Sequence, residues 1–374
     1  LGAALYLSLG VGSASVSYAI FPIHADAPAL GFAGLGAICF SVRRGLMWRV
    51  SGGALLVLAA LAKQNMAPLA LLGPLLLGWR EGWRSAVASL AGGFAAGLVV
   101  LLYSLAVLGR WDDLYFNLVT VPLGAGFSQT GFFAAAQALG ADMIPSLCVL
   151  GLCLTMFWRG RGAPVGGLRW SDSGLALAMS VALWPTSIAG FMKVGGYPNA
   201  LAPSVYFAIL GTCFVADRAA CLYRCAAVGL AGFALVAAGF TAPVVAWSLR
   251  EWSGGVAATW TQRAFEFERR HPGEVYFPAN PLASLMASGR VYHMDDGLYC
   301  RAVAGYPVTG EQFMRHLPAG ASHIAFIPGG RELLLRSTGD VLRARLTQEP
   351  SEDLQPWEVC RFSRRRDGGG DHGR

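Results

Sequence analysis

The chain has 374 residues, 55% of them hydrophobic and 14% charged, with a mean hydropathy of +0.48 and a net charge of +7. Ordinary soluble domains carry about 25% charged residues, so a soluble enzyme built on one apolar core is excluded, as is disorder, which needs low hydrophobicity and high charge. The charges are unevenly spread: residues 1–249 hold 7 of the 22 acids and 13 of the 29 bases, which divides a membrane part from a water-soluble part at residue 250.

Apolar runs predict about nine membrane spans, at 1–21, 29–42, 50–62, 66–79, 85–108, 143–158, 173–191, 198–216 and 224–248. The chain starts inside the first of these runs, with neither Met nor a basic leader, and the expectation is that further spans precede it. The connections alternate in character. One set contains Arg43, Arg44, Arg49, Arg80, Arg84, Arg159, Arg161, Arg169, Arg218 and Arg224, whereas the other set, at 22–28, 63–65, 109–142 and 192–197, contains Arg110 alone. The positive-inside rule makes the first set cytoplasmic and places residues 250–374 outside the cytoplasm of a plasma (inner) membrane. The rule also favours reading 50–79 as two short helices with Lys63-Gln64-Asn65 at the tip, because one long helix would put Arg80 and Arg84 outside. The net positive charge then reflects loop anchors in membrane lipid and calls for no nucleic acid.

The C-terminal part changes texture. Strands are predicted at 274–277, 290–293 and 323–327, a turn at Asp295-Asp296-Gly297, and helical pieces at 282–287 and 310–317. Short strands alternating with helices predict a small α/β domain over 250–363, followed by a disordered basic tail at 364–374. The fold class expected is therefore a polytopic α-helical membrane protein with a small C-terminal extracytoplasmic α/β domain.

Several groups on the outer side can carry chemistry. Asp26, close to His24 before a span, can act as a base, orient a cation or contribute to a divalent metal; it can equally cap the helix that follows. A metal built from His24 and Asp26 alone would lack ligands. The only two lysines, Lys63 and Lys193, both fall on the outer side. A compact ammonium at a membrane boundary suits the phosphate of a lipid headgroup, and snorkelling to the lipid surface is the other reading. Arg110, Asp112 and Asp113 in the 109–142 loop form a further substrate-facing segment, for which an interfacial belt is the alternative. Tyr197 and Asn199 follow the Gly195-Gly196 turn, which is no phosphate loop but a place where backbone can approach a ligand. No zinc, Ser-His-Asp or nucleotide-binding pattern is present, so no nucleotide cofactor is expected. Cys300 and Cys360, the only cysteines of the outer part, are a candidate disulfide; two buried free thiols are the alternative.

Taken together, these segments resemble the GT-C membrane glycosyltransferases, the aminoarabinose, mannosyl and related transferases that use polyprenyl-phosphate sugars. The likeness rests on His24-Ala25-Asp26-Ala27-Pro28-Ala29-Leu30, Leu58-Ala59-Ala60-Leu61-Ala62-Lys63-Gln64 and Gly195-Gly196-Tyr197-Pro198-Asn199-Ala200-Leu201. Val275-Tyr276-Phe277-Pro278 and Val291-Tyr292-His293 in the outer domain add to it. It is one of pattern over most of the chain, not of a strict motif. The resemblance implies transfer of a sugar from a polyprenyl-phosphate carrier to a glycan, lipid or protein acceptor. It implies that Asp26 is a supporting acid near metal or donor phosphate and that Lys63 lies near the lipid carrier. The catalytic base of such enzymes sits in a first outer loop, which is expected upstream of Leu1. A secondary transporter, or a non-catalytic component of polysaccharide assembly or export, is the alternative.

Overall fold

The computed structural model describes residues 2–20, 25–42, 45–127, 129–159, 172–194, 196–222, 227–234, 246, 256–290, 292, 295–338, 346–349 and 351–362. The chain divides into two compact units: Leu1–Leu114 with Phe127–Ala246, and Tyr115–Gly126 with Trp247–Arg374. The domain boundary thus falls close to the charge shift in the sequence, but a segment from the middle of the apolar region joins the C-terminal unit.

The first unit is helical. Four of its helices, Trp83–Val107, Gly131–Trp158, Asp172–Met192 and Ala202–Leu222, are long and apolar enough to cross a membrane, and Asp26–Ser41 and Leu46–Ala62 are shorter apolar helices. By length and composition this is a helical membrane protein. The predicted span 224–248 lies mostly outside the described residues, of which 227–234 are helical.

Residues 50–79 form two helices. α4 (Leu46–Ala62) ends where Lys63 turns to extended backbone, a single 3-10 turn follows at Gln64–Met66, and α5 (Ala67–Glu81) begins with a proline in its first turn. A proline is tolerated there because its missing N–H would have no helical partner. Arg49 at the start of α4 bonds Glu81 at the end of α5, at 2.8 Å, so the two helices run antiparallel. α5 then passes to α6 (Trp83–Leu108) through Gly82 alone, whose φ of 98° is a conformation that favours glycine. α6 packs along α4 at backbone contact distance. A Cβ on Gly53 would overlap the Ser89 carbonyl, and one on Gly92 would overlap that of Val50. Small residues at such crossings let helices associate by close packing where lipid removes the hydrophobic drive.

The predicted span 1–21 is broken. α1 (Gly2–Gly12) and α2 (Ala14–Ile20) are separated at Ser13, and the freed N–H groups of Ala14 and Ser15 donate to the Asp142 carboxylate at 3.2 and 2.9 Å, while Ser13 Oγ lies 3.2 Å from it. Asp142 belongs to α9 (Gln129–Arg159). This helix corrects the expectation of a loop over 109–142. Residues 129–142 are helical, since the run Phe132 to Ala138 is rich in alanine, the strongest helix former. Before α9 lie the short helices α7 (Trp111–Tyr115) and α8 (Val121–Gly124), joined by a π turn at Phe116–Thr120. α10 (Asp172–Met192) and α11 (Ala202–Leu222) complete the bundle; Ser180 donates to the Ser204 carbonyl at 2.7 Å, and Ser204 to Ser187 Oγ at 2.8 Å, between them.

The C-terminal unit is an α/β layer structure. Its sheet has the order β1-β2-β4-β3. β1 (Val275–Tyr276) is parallel to β2 (His323–Phe326), and β4 (Glu358–Phe362) is antiparallel to both β2 and β3 (Leu346–Gln348). Alternation along the strands sends Tyr276, Ile324, Phe326, Cys360 and Phe362 into one core, and Val275, Ala325 and Val359 into the other. The first core also takes Leu298 of α14 (Asp295–Val303), Phe313 of α15 (Gly310–Arg315) and Leu334 of α16 (Arg331–Thr338). The second takes Ala264 of α12 (Val256–Arg270) and Ala283 of α13 (Pro281–Ser288). The expected turn at 295–297 is instead the first turn of α14. Arg290 and Tyr292 are not in a strand, and the rest of that predicted strand, like the tail 364–374, lies outside the described residues. The segment Tyr115–Gly126 is held by aromatic contact: the Phe116 ring meets Tyr306 edge-on at 5.3 Å, and the Arg301 guanidinium lies 5.1 Å from the Phe116 centroid.

Two predictions follow from packing and burial. Gly92→Leu should destabilise the helical unit by about 1–3 kcal/mol through overpacking, read as a lower unfolding temperature in lipid nanodiscs; an unchanged temperature would mean that α4 and α6 separate freely. Glu268 on α12 is fully buried, accepts the Gly273 N–H at 3.0 Å with Oε1, and has a second oxygen buried with no hydrogen-bond partner among the described residues. Burial pushes its carboxyl above the usual range, against the Gly273 bond, with the nearby Glu274 charge adding to the rise. Its ionisation therefore costs stability. That cost is absent below the unfolded value of about 4.3 and grows as pH rises through the folded value. Glu268→Gln should stabilise 256–362 at pH 7 and flatten this pH dependence in hydrogen exchange of the whole chain; equal slopes in both proteins would contradict it.

Candidate functional site

Three separate connections meet at one end of the helical unit. α3 (Asp26–Val42) starts there, α4 ends there at Lys63, and α11 is approached there through the 3-10 turn Pro198–Ala200. The Asp26 carboxylate pairs directly with the Lys63 ammonium. Asn199 Nδ2 donates to Asp26 Oδ2 at 2.7 Å, and Lys63 Nζ donates to the Asn199 carbonyl at 2.8 Å. The cluster is enclosed: the Asp26 side chain is 5% exposed and that of Lys63 16%. Asp26 is the first residue of α3, and its described bonds go to Lys63 and Asn199 rather than to the N–H groups of its own helix.

Local backbone brings these groups together. Lys63 can reach sideways because the chain is extended there, between two helices. The turn carrying Asn199 folds tightly back, with Gly196 N–H on the Lys193 carbonyl at 2.7 Å, and a Cβ on Gly196 would overlap the Phe191 carbonyl. Pro198 then starts the 3-10 turn that presents Asn199. A second ring of bonds backs the first. Asn65 Nδ2 donates to the Ala200 carbonyl at 2.8 Å, and Thr186 Oγ1 donates to the Asn65 carbonyl at 2.6 Å. Asn65 Oδ1 is buried with no partner among the described residues.

The structure therefore joins Asp26, Lys63 and Asn199, which the sequence proposed on separate grounds. It leaves the other candidates in different settings. Lys193 is half-buried, and its backbone forms a β-bridge with Phe127. Tyr197 is exposed. Arg110 pairs with Asp112 at 4.0 Å and Asp113 at 3.8 Å, all three at an exposed surface where such pairs contribute little. His24 lies outside the described residues. Among the described residues no group of three His, Cys, Asp or Glu is placed to hold a metal, and Asp26 is already neutralised by an ammonium, so this cluster does not fit a divalent cation. Thr186 is a functional residue the sequence reading missed; its signal is the hydroxyl pair Thr186-Ser187 after Pro185 inside an apolar helix.

The disulfide expectation is corrected. Cys300 and Cys360 are both free thiols: Cys300 is exposed on α14, whereas Cys360 is buried in β4, where burial pushes its thiol above the ordinary range with Arg331 opposing. The expectation placed Cys300 just after a strand and a turn; it lies on a helix instead.

No family model, no curated protein and no solved structure matches the chain.

Removing one partner of an enclosed ion pair leaves the other charge unpaired, at a cost of about 3–5 kcal/mol. Asp26→Ala and Lys63→Ala should each destabilise the helical unit, and the double variant should be less damaged than the sum by about 1–3 kcal/mol. Thermal unfolding in nanodiscs measures all four proteins; strictly additive losses would show that the pair does not act as a unit.

Proposed function

We propose that this protein is an integral membrane glycosyltransferase that moves a sugar from a polyprenyl-phosphate carrier to an extracytoplasmic glycan, lipid or protein acceptor. The observation that carries this reading is the enclosed Asp26–Lys63–Asn199 cluster at the end of the bundle where the arginine-poor connections meet. An ammonium held at the edge of an apolar bundle, by a carboxylate that also fixes its direction, suits a lipid phosphate. In the reaction an acceptor hydroxyl oxygen bonds to the anomeric carbon. The bond from that carbon to the phosphate oxygen breaks, and the carrier phosphate leaves with the electron pair while the hydroxyl proton passes to a base. Lys63 stabilises the charge that grows on the departing phosphate, exchanging its contact with Asp26 for one with the donor. Asp26 and Asn199 position it; the base is assigned to none of the described residues.

The C-terminal unit supports the orientation that goes with this reading. Segment Tyr115–Gly126 packs within that unit. Three long helices, α9, α10 and α11, come after it, and the span expected from the sequence at 224–248, most of which lies outside the described residues, would make the number of crossings even. The side of 115–126 is the arginine-poor one, outside the plasma membrane by the charge rule.

A secondary transporter is the competing reading, and one observation favours it: the α1–α2 break with Asp142 across it, since transporters bind cargo at interrupted helices. The test separates the two. The full-length protein, in nanodiscs with a labelled polyprenyl-phosphate sugar and cell-envelope acceptors, should transfer label. Lys63→Gln should weaken donor use roughly tenfold or more, with Lys63→Arg falling between. Solute uptake into proteoliposomes with no sugar transfer would replace the proposal with the transporter.

A further inference from the structure

A separate cavity of about 220 Å3 opens in the C-terminal unit, at the end of the sheet face that packs under α12. Val275 and Val359 form its floor and Phe267 of α12 one wall. Leu354 and three polar side chains, His323, Glu349 and Ser351, line the rest. His323 opens β2, and Glu349 is fixed just past β3 by its backbone N–H on the Val359 carbonyl at 3.0 Å.

Their bonding capacity is incomplete in a directed way. His323 Nδ1 lies 2.7 Å from Ser322 Oγ, which also donates toward the Glu274 carbonyl at 3.5 Å, so Nε2 donates or accepts according to the ring's tautomer. Nε2 is 3.7 Å from Glu349 Oε2, beyond hydrogen-bond reach. A ring nitrogen and a carboxylate thus face each other across a gap with no direct hydrogen bond between them. A group that both accepts and donates, such as a hydroxyl, fits between them, and the Ser351 hydroxyl offers a further contact.

We propose that this cavity binds one neutral hexopyranoside ring. The volume is below the roughly 300–1,000 Å3 of sites for drug-sized ligands, which limits it to a single ring. A pyranose presents adjacent hydroxyls on its edge to His323 and Glu349, and C–H groups on its face to Phe267 and the valines. Charge sets the class. Glu349 repels a uronic acid, while Arg361, opposite His323 across the β2–β4 pair, offsets the pull of Glu349 on an amino sugar. The site is distinct from the donor cluster and is tested without donor lipid, so its failure and that of the transferase reading are separable.

The probes are the methyl α-glycosides of glucose, mannose and galactose, with methyl glucuronoside and methyl glucosaminide as charged comparators. Saturation-transfer NMR on the full chain in nanodiscs should show binding of at least one neutral glycoside, and weaker signals from both charged ones. Glu349→Gln should weaken that binding about tenfold. Ser351→Trp, which fills the cavity, should abolish it. Glu349 is half exposed, and the bond that fixes its strand is made by the backbone, so the Gln change leaves the fold intact. Absence of binding by all three neutral glycosides overturns the proposal. So does undiminished binding in either variant, or tighter binding of a charged glycoside than of every neutral one.

Discussion

A carboxylate and an ammonium can share an apolar helix bundle only if each neutralises the other, because an isolated buried ion costs several kcal/mol. The Asp26–Lys63 pair meets that condition and in doing so ties together the start of α3 and the end of α4; Asn199 adds the approach to α11. Three chain segments far apart in sequence are thereby fixed at one level of the bundle. Whatever chemistry occurs there inherits this geometry: a ligand that takes Lys63 must leave Asp26 with Asn199 as its remaining described partner, and a ligand that takes neither must bind a neutral surface.

The other end of the bundle is built on the same principle with a different composition. Arg49, 2% exposed, donates to the Cys39 and Phe40 carbonyls at 3.0 and 2.6 Å and to Glu81 at 2.8 Å, while Arg80 reaches Asp172 at 3.0 Å. Along α10 the two polar levels, at Asp172 and Thr186, are about 21 Å apart at 1.5 Å per residue. That is shorter than a typical hydrocarbon core of about 30 Å. The short helices α4 and α5 span this distance as a hairpin, and α6 lies against α4 at glycine contacts. Arginine serves where carbonyls and carboxylates must be bridged from one planar group, and the compact lysine serves at the end where a single contact suffices.

The coarse division of the chain was legible because charge is excluded from lipid, and the tip at Lys63 was legible because Arg80 and Arg84 had to share a side with Arg49. Asp26 and Lys63 were legible as occupants of the same end, though not as partners, since hydropathy gives depth and not the direction in which a side chain points. The tie from Asp142 to Ser13 and Ser15 was missed because Asp142 was expected at the end of a loop, and the target of an acid in a helix depends on which helix packs beside it. The two cysteines misled because an even count says nothing about geometry. The strands β1 and β2 were readable, at 274–277 and 323–327, whereas the three-residue strand β3 owes its existence to pairing with its longer neighbour β4.

The C-terminal unit is discontinuous in sequence, and this sets an order on its birth. Residues 115–126 leave the ribosome before Trp247 is added, by the length of the three long helices between them. At roughly 5–20 residues per second, the Phe116 ring waits on the order of 10 s for Arg301 and Tyr306 to be made. Through that interval Val121, buried in the finished structure, has no domain to join. The segment's helical turns then have the lipid–water boundary as a refuge for that side chain, and the finished domain has to draw it off.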